Sequence, residues 1–421
     1  MPGPQHGPLV RLVPEVRTYR MGPFALADDL AHLLAVQRAG APEAVVFYSS
    51  RILDALAADA LVRLGQVPAT NLFANLQLLE HLNRVATATR YWAHALRRLG
   101  NLVRHLTGRV GPEDADLAVL FAERWLEWFF RLFSHGHRLP RLTCDGQPLG
   151  LGAAGEGHVL LELLEKLEAT PPGAAAPPGQ GELGQHPALL NTSVLPAVLA
   201  EVLLGRHQHE EAFRVLELGL SHFPDDLRLR QLMGLHWSRN GELEEALRWL
   251  EPLHARFKDD EETAGITAGV YKRRWLRDRD NRADLEKSHR AYRGAWKSSR
   301  KKSVYAAINA AATALWLGRE GDARQLAGEV VEQLHRRAAS LPADLRDVRQ
   351  PFSYWDQVTL AEAQLLLGDW SAARQAYREA FARHATRLGD IKVTRDQLAE
   401  HLEALGGRDK VDAFLGPGPP P

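Results

Sequence analysis

The sequence predicts an all-α chain, an N-terminal helical bundle followed by a helical repeat array. Three observations carry this. Ala, Leu, Arg and Glu dominate at helical spacing, and period-two alternation with β-branched residues is nearly absent. Segments of the second half recur at fixed offsets. A Pro/Gly/Ala stretch separates the two halves and cannot bury a core. With 421 residues the chain suits about two to four domains. The expected organisation is a tail over 1–20, the bundle over 21–138, a linker with one short helix over 139–187, the array over 188–410 and a tail over 411–421.

In the first third the spacing predicts helices over about 24–38, 42–64, 71–82, 89–106 and 112–133, with Pro42 and Pro112 in first turns, where proline lacks nothing a helix needs. The pattern then breaks. Asp145-Gly146 reads as a turn, and a short helix is expected over 158–169 before the Pro-rich run. Gly150-Leu151-Gly152-Ala153-Ala154-Gly155 matches a dinucleotide-binding spacing, but no strand–helix–strand pattern surrounds it, so no such cofactor is expected.

The second half repeats. Glu211-Ala212-Phe213 recurs as Glu245-Ala246-Leu247, and Asp225-Asp226 as Asp259-Asp260, both at an offset of 34 residues. Leu317-Gly318 through Ala323-Arg324-Gln325 recurs as Leu367-Gly368 through Ala373-Arg374-Gln375 at an offset of 50, with the extra length expected over 341–351. A period of 34, with a small residue inside the second helix where paired helices approach closely, resembles the tetratricopeptide repeat (TPR).

One helix of the bundle carries a polar stripe. At 100° per residue His94, Arg98, Asn101 and His105 share a narrow face, opposite Trp92, Leu96, Leu99, Val103 and Leu106. His105 has the chemistry of a general acid or base, Arg98 that of a bidentate phosphate holder, and Asn101 could orient either. Together they would serve metal-independent RNA cleavage. The same spacing also describes an amphipathic helix whose polar face meets water. Arg98-Leu99-Gly100-Asn101 followed by His105 resembles the Arg…Gly-Asn…His signature of a bacterial HEPN-like family, and 48–56 resembles that family's second helix. The resemblance covers about 24–133. It implies a helical bundle, a homodimer with the motif helices facing each other, and an endoribonuclease site at Arg98, Asn101 and His105.

A second signal lies in the array. Residues 271–302 hold 13 Lys or Arg against 4 Asp or Glu, 13 − 4 = +9 in a chain of formal net charge zero. Trp275, Tyr292 and Trp296 are interleaved. Lys272, Arg273, Arg274 and Arg277 are the candidate ligand-binding residues, for a nucleotide or another anionic ligand, RNA or an acidic partner. The alternative is a solvated helix face with its aromatic residues packed inward. Gly269-Val270-Tyr271-Lys272-Arg273-Arg274-Trp275, Tyr292, Tyr305, Ile308-Asn309-Ala310-Ala311, and Tyr354-Trp355 with Ala361-Glu362-Ala363 resemble the TPR-like TRAFs-binding region of apoptosis-signal-regulating MAP kinase kinase kinases and its bacterial relatives. That resemblance, over about 195–385, implies a regulatory array that senses a ligand or a protein partner.

The remaining composition excludes classes. Cys144 is the single cysteine, so neither a disulfide framework nor a cysteine zinc site is expected. His135/His137 and His207/His209 lack the wider ligand set of a metal site. No run of about 18 apolar residues offers a membrane span, and no signal-peptide core is present near Met1, so a cytoplasmic protein is expected. The reading is a bacterial defence or stress-response protein in which the array controls an endoribonuclease bundle, with a noncatalytic adaptor as the alternative.

Overall fold

The computed structural model describes residues 19–21, 24–69, 72–82, 85, 87–105, 110–133, 143–144, 147–148, 190, 192–339, 354–385, 388–406 and 411–416. They are all-α apart from two antiparallel ladders of two residues per strand. The chain divides into two compact units, residues 1–64 with 71–236 and residues 65–70 with 237–421.

The first unit opens on β1 (Arg20–Met21) paired with β2 (Phe24–Ala25). Five helices follow, α1 (Leu26–Arg38), α2 (Pro42–Arg63), α3 (Leu72–His81), α4 (Thr87–His105) and α5 (Pro112–Phe133). The expected tail ends earlier than the sequence suggests. Tyr19 is buried against Phe129 and Phe130, and its hydroxyl donates to Asp59 at 2.8 Å, because an aromatic ring with a polar tip anchors well at a bundle edge. α2 runs through the bundle with Ile52, Leu53, Leu56 and Leu61 fully buried. Strands β3 (Thr143–Cys144) and β4 (Gln147–Pro148) pair on either side of the predicted Asp145-Gly146 turn. The helix expected over 158–169, the Pro-rich run and the insertion over 341–351 lie outside the described residues.

The unit continues with α6 (Val194–Gly205), α7 (His209–His222) and the first part of α8 (Leu227–Asn240). α6 is apolar all round, with Glu201 its one ionisable residue, as expected of a helix covered on every side.

The second unit is an array of helix pairs. α8 runs into α9 (Leu243–Arg256), and α10 (Glu261–Arg277) pairs with α11 (Arg282–Ser298). α12 (Val304–Trp316) pairs with α13 (Glu320–Ala339), and α14 (Tyr354–Leu367) with α15 (Trp370–Arg383). α16 (Leu388–Ala404) and the short α17 (Val411–Leu415) close it. The 34-residue period is visible atom by atom. Asp226 accepts from the Leu229 amide at 2.8 Å and Asp260 from the Thr263 amide at 2.7 Å, each capping a first helix. Ala212 and Ala246 are both fully buried. Gly241, Gly318 and Gly368 take φ of +91°, +75° and +91° between paired helices, where a left-handed residue ends one helix and the next begins. α12 packs through an alanine face, Ala306, Ala307, Ala310, Ala311 and Ala314, because helices this close leave no room for longer side chains. The array runs past residue 410, since Phe414 and Leu415 of α17 are buried in the same core as Ile391, Leu398 and Leu402. No described helix is long and apolar enough to cross a membrane.

Candidate functional site

The two predicted site clusters have different fates. In the first unit, Arg98 is buried, 4% exposed, and ion-paired with Glu201 of α6. Glu201 also takes Arg228 of α8 at 2.5 Å. One carboxylate thus joins α4, α6 and α8, consistent with the high cost of leaving a charge in an apolar helix unmatched. Leu96 and Leu99 are fully buried as the stripe predicted, yet the polar side of α4 is not a solvated face at Arg98. Asn101 is half-buried, and the side chain of His105 lies outside the described residues. The signal that marks Arg98's partner is Glu201 itself, the lone charge in Val194–Gly205.

In the second unit the four predicted cations diverge, because consecutive helical residues point about 100° apart. Arg273 donates to the Ser238 hydroxyl, and Arg277 to the Gly241 carbonyl at 2.9 Å, one turn along the same face. Arg274 pairs with Asp284 at 2.9 Å and lies 3.7 Å from Glu244. Lys272 goes elsewhere. Its ammonium donates to Asn309 Oδ1 at 2.9 Å and lies 3.4 Å from Gln397 Oε1, with the Tyr292 ring centroid 6.0 Å away. The four do not form one anionic-ligand surface.

Lys272 belongs to a polar cluster that sequence reasoning did not assemble. Glu362 of α14 is buried and accepts from Gln397 Nε2 at 3.0 and 3.1 Å and bonds His401 Nε2 at 2.8 Å. His401 is fully buried and stacks on Trp316, which in turn stacks on Trp275. Arg279 lies over Trp275 at 4.2 Å and pairs with Glu400 at 2.5 Å. The cluster therefore draws on α10, α12, α14 and α16. Two α10 glycines border the Tyr292 and Tyr305 side without being required there for space. A Cβ at Gly269 would stand 3.6 Å from the Tyr292 hydroxyl, and one at Gly265 the same distance from the Tyr305 ring, which is 58% exposed. Burial pushes the Lys272 amine down to about 8, with the Glu362 carboxylate pulling the other way. Among the described residues no group of three or more His, Cys, Asp or Glu is arranged to hold a metal.

A family model agrees with the repeat geometry. The family model described as Tetratricopeptide Repeats-Sensor matches residues 208–315, from just before α7 to the end of α12. Among solved structures, a thermophilic TPR protein of Thermus thermophilus is 16% identical with a TM-score of 0.38, covering 51% of this chain and 99% of its own. The human IFIT1 dimer with PPP-AAAA is 12% identical with a TM-score of 0.36, covering 88% of this chain and 93% of its own. No curated protein matches the chain. The second half is a TPR-like array similar to the sensor type.

Proposed function

We propose that this chain is a sensing adaptor whose TPR-like array recognises a ligand or protein partner on the face of α10, α12 and α14 that carries Lys272, Asn309 and Glu362. One observation carries this reading. An array with an apolar core brings a half-buried cation, Lys272, and a buried anion, Glu362, onto one face, 2.9 Å and 2.8 Å from their polar neighbours. Buried charges contribute little net stability, and in clusters they often mark a working site. The match to a sensor-type TPR model over 208–315 supports the same reading.

The adaptor reading is favoured over an endoribonuclease in the N-terminal bundle by the engagement of Arg98 with Glu201. A phosphate-holding Arg98 would first have to leave that carboxylate. The test is a binding screen by calorimetry on the full chain, run with nucleotides, short RNAs and helical peptides. Lys272→Met and Glu362→Gln should each weaken the ligand found by tenfold or more while leaving the helical signal unchanged. Binding unaffected by both changes would move the site elsewhere. Cleavage of RNA lost in His105→Ala would restore the nuclease reading.

A further inference from the structure

α16 buries two faces of opposite chemistry. Ile391, Leu398 and Leu402 enter a core with Tyr354, Val358, Ala361, Leu365, Tyr377 and Phe381. Thr394, Gln397 and His401 form the other stripe, spaced as a helix spaces one face. Thr394 Oγ1 bonds the Tyr354 hydroxyl at 2.8 Å, and His401 reaches Glu362 and Trp316.

Gln397 is the centre of this stripe. Its carbonyl oxygen faces Lys272 at 3.4 Å, and its amino group donates to both oxygens of Glu362. The amide can sit only this way round, because an ammonium only donates and a carboxylate only accepts. Lys272 and Glu362, each in the last two turns of a first helix, thus present a cation to the oxygen and an anion to the nitrogen of one carboxamide. Hydrogen bonds of this seam replace bonds to water and so add little net, and covering Lys272 and Glu362 costs their desolvation, so the polar seam adds little to what the apolar stripe supplies.

We propose that Lys272 and Glu362 form a carboxamide-reading slot, filled in cis by Gln397, and that α16 is a strap displaced by a partner helix presenting its own glutamine in the same slot. The occupant is a helix because the slot, the Tyr354 hydroxyl and the Trp316 face lie at the spacing of Gln397, Thr394 and His401 on one helical stripe. This rests on the reading that the α10–α12–α14 face is the recognition face of the array.

The test uses the full chain and a fluorescent synthetic peptide of residues 386–406. In Gln397→Glu the new carboxylate loses both donations to Glu362 and meets its charge at the shorter contacts, which outweighs the attraction of Lys272 at 3.4 Å, and α16 should open. Its backbone amides should exchange at least tenfold faster than in the parent, with α12 unchanged. That variant should bind the parental peptide at least tenfold more tightly than the parent chain, whose slot is filled. A peptide with norleucine in place of glutamine should bind the opened chain at least tenfold more weakly. If Gln397→Glu loses helical signal, Gln397→Met, which keeps the length and removes both polar atoms, takes its place. Unchanged exchange in α16, or equal capture of the two peptides, overturns the proposal. Opening and capture need no foreign ligand. A failed ligand screen would therefore sink the sensing function and leave the strap standing, whereas a strap that never opens leaves ligand binding elsewhere on the array untouched.

Discussion

The indoles of Trp275 and Trp316 stack with ring centroids 5.2 Å apart and planes 22° from parallel. They join α10 to α12 beside Leu285 and Leu317. Trp275→Ala should therefore destabilise the second unit by about 3–5 kcal/mol, the usual cost of truncating a large buried aromatic residue. Urea unfolding followed by circular dichroism would measure it. A loss under about 1 kcal/mol would mean that the stack is peripheral.

Arg98 and Glu201 supply a second test. Breaking this half-buried pair removes a charge-assisted contact, so Arg98→Ala and Glu201→Ala should each cost about 1–3 kcal/mol, with Glu201→Ala the larger because both Arg98 and Arg228 meet its carboxylate. Thermal melts of the single variants check the order. Equal melts for parent and Glu201→Ala would exclude this carboxylate as the joint between α4, α6 and α8.

The repeat register predicts that Ala212 and Ala246 tolerate nothing larger. Each is fully buried inside a second helix, and Trp at either should cost about 1–3 kcal/mol through overpacking. Trp249 of the same helix as Ala246 is exposed, and its exchange for Gln should stay within about 0.5 kcal/mol.

Protons give two further readouts of the same sense in different pH windows. Burial and the neighbouring His209 hold His236 down to about 4, below the usual 6.5. Between these values the unfolded chain binds the extra proton, so this contribution to stability is complete above pH 6.5 and is lost as pH falls toward 4. His236→Phe should flatten that slope in acid titrations of the melting temperature. For Lys272 the folded value near 8 lies below the usual 10.5, so stability from this group rises as pH climbs from 8 to 10.5. Glu362→Gln removes the attraction that holds the ammonium charged, and the Lys272 midpoint, followed by side-chain nitrogen NMR, should fall below 8.

Much of the fold was legible because it is written locally. Asp226 and Asp260 cap helices at the same offset that the sequence repeats, and Gly318 and Gly368 mark turns that only a left-handed residue allows cheaply. The sites were legible only in part. Periodicity placed Arg98 on a polar face and Lys272 on a basic helix, but it could not name what covers either. Their partners lie far along the chain. Gln397 is 125 residues from Lys272, and no local pattern couples such positions. Ends were the other weak point. Tyr19 and Phe414 sit in segments whose composition reads as tails, and their burial depends on cores assembled elsewhere.

α16 also changes how this array should come apart. A stacked repeat protein is held by neighbours alone, so it has no natural first break. Here a helix near one end is fastened to α10, well back along the stack. Closing that fastening before the pairs between exist would mean ordering a long loop, and the entropy of closure favours docking it last. What docks last tends to leave first. Under force applied at Leu415 in an optical trap, α17 and α16 should peel away as one early, reversible step, before any helix pair ruptures. The extension of that step would report the length of chain that the fastening holds.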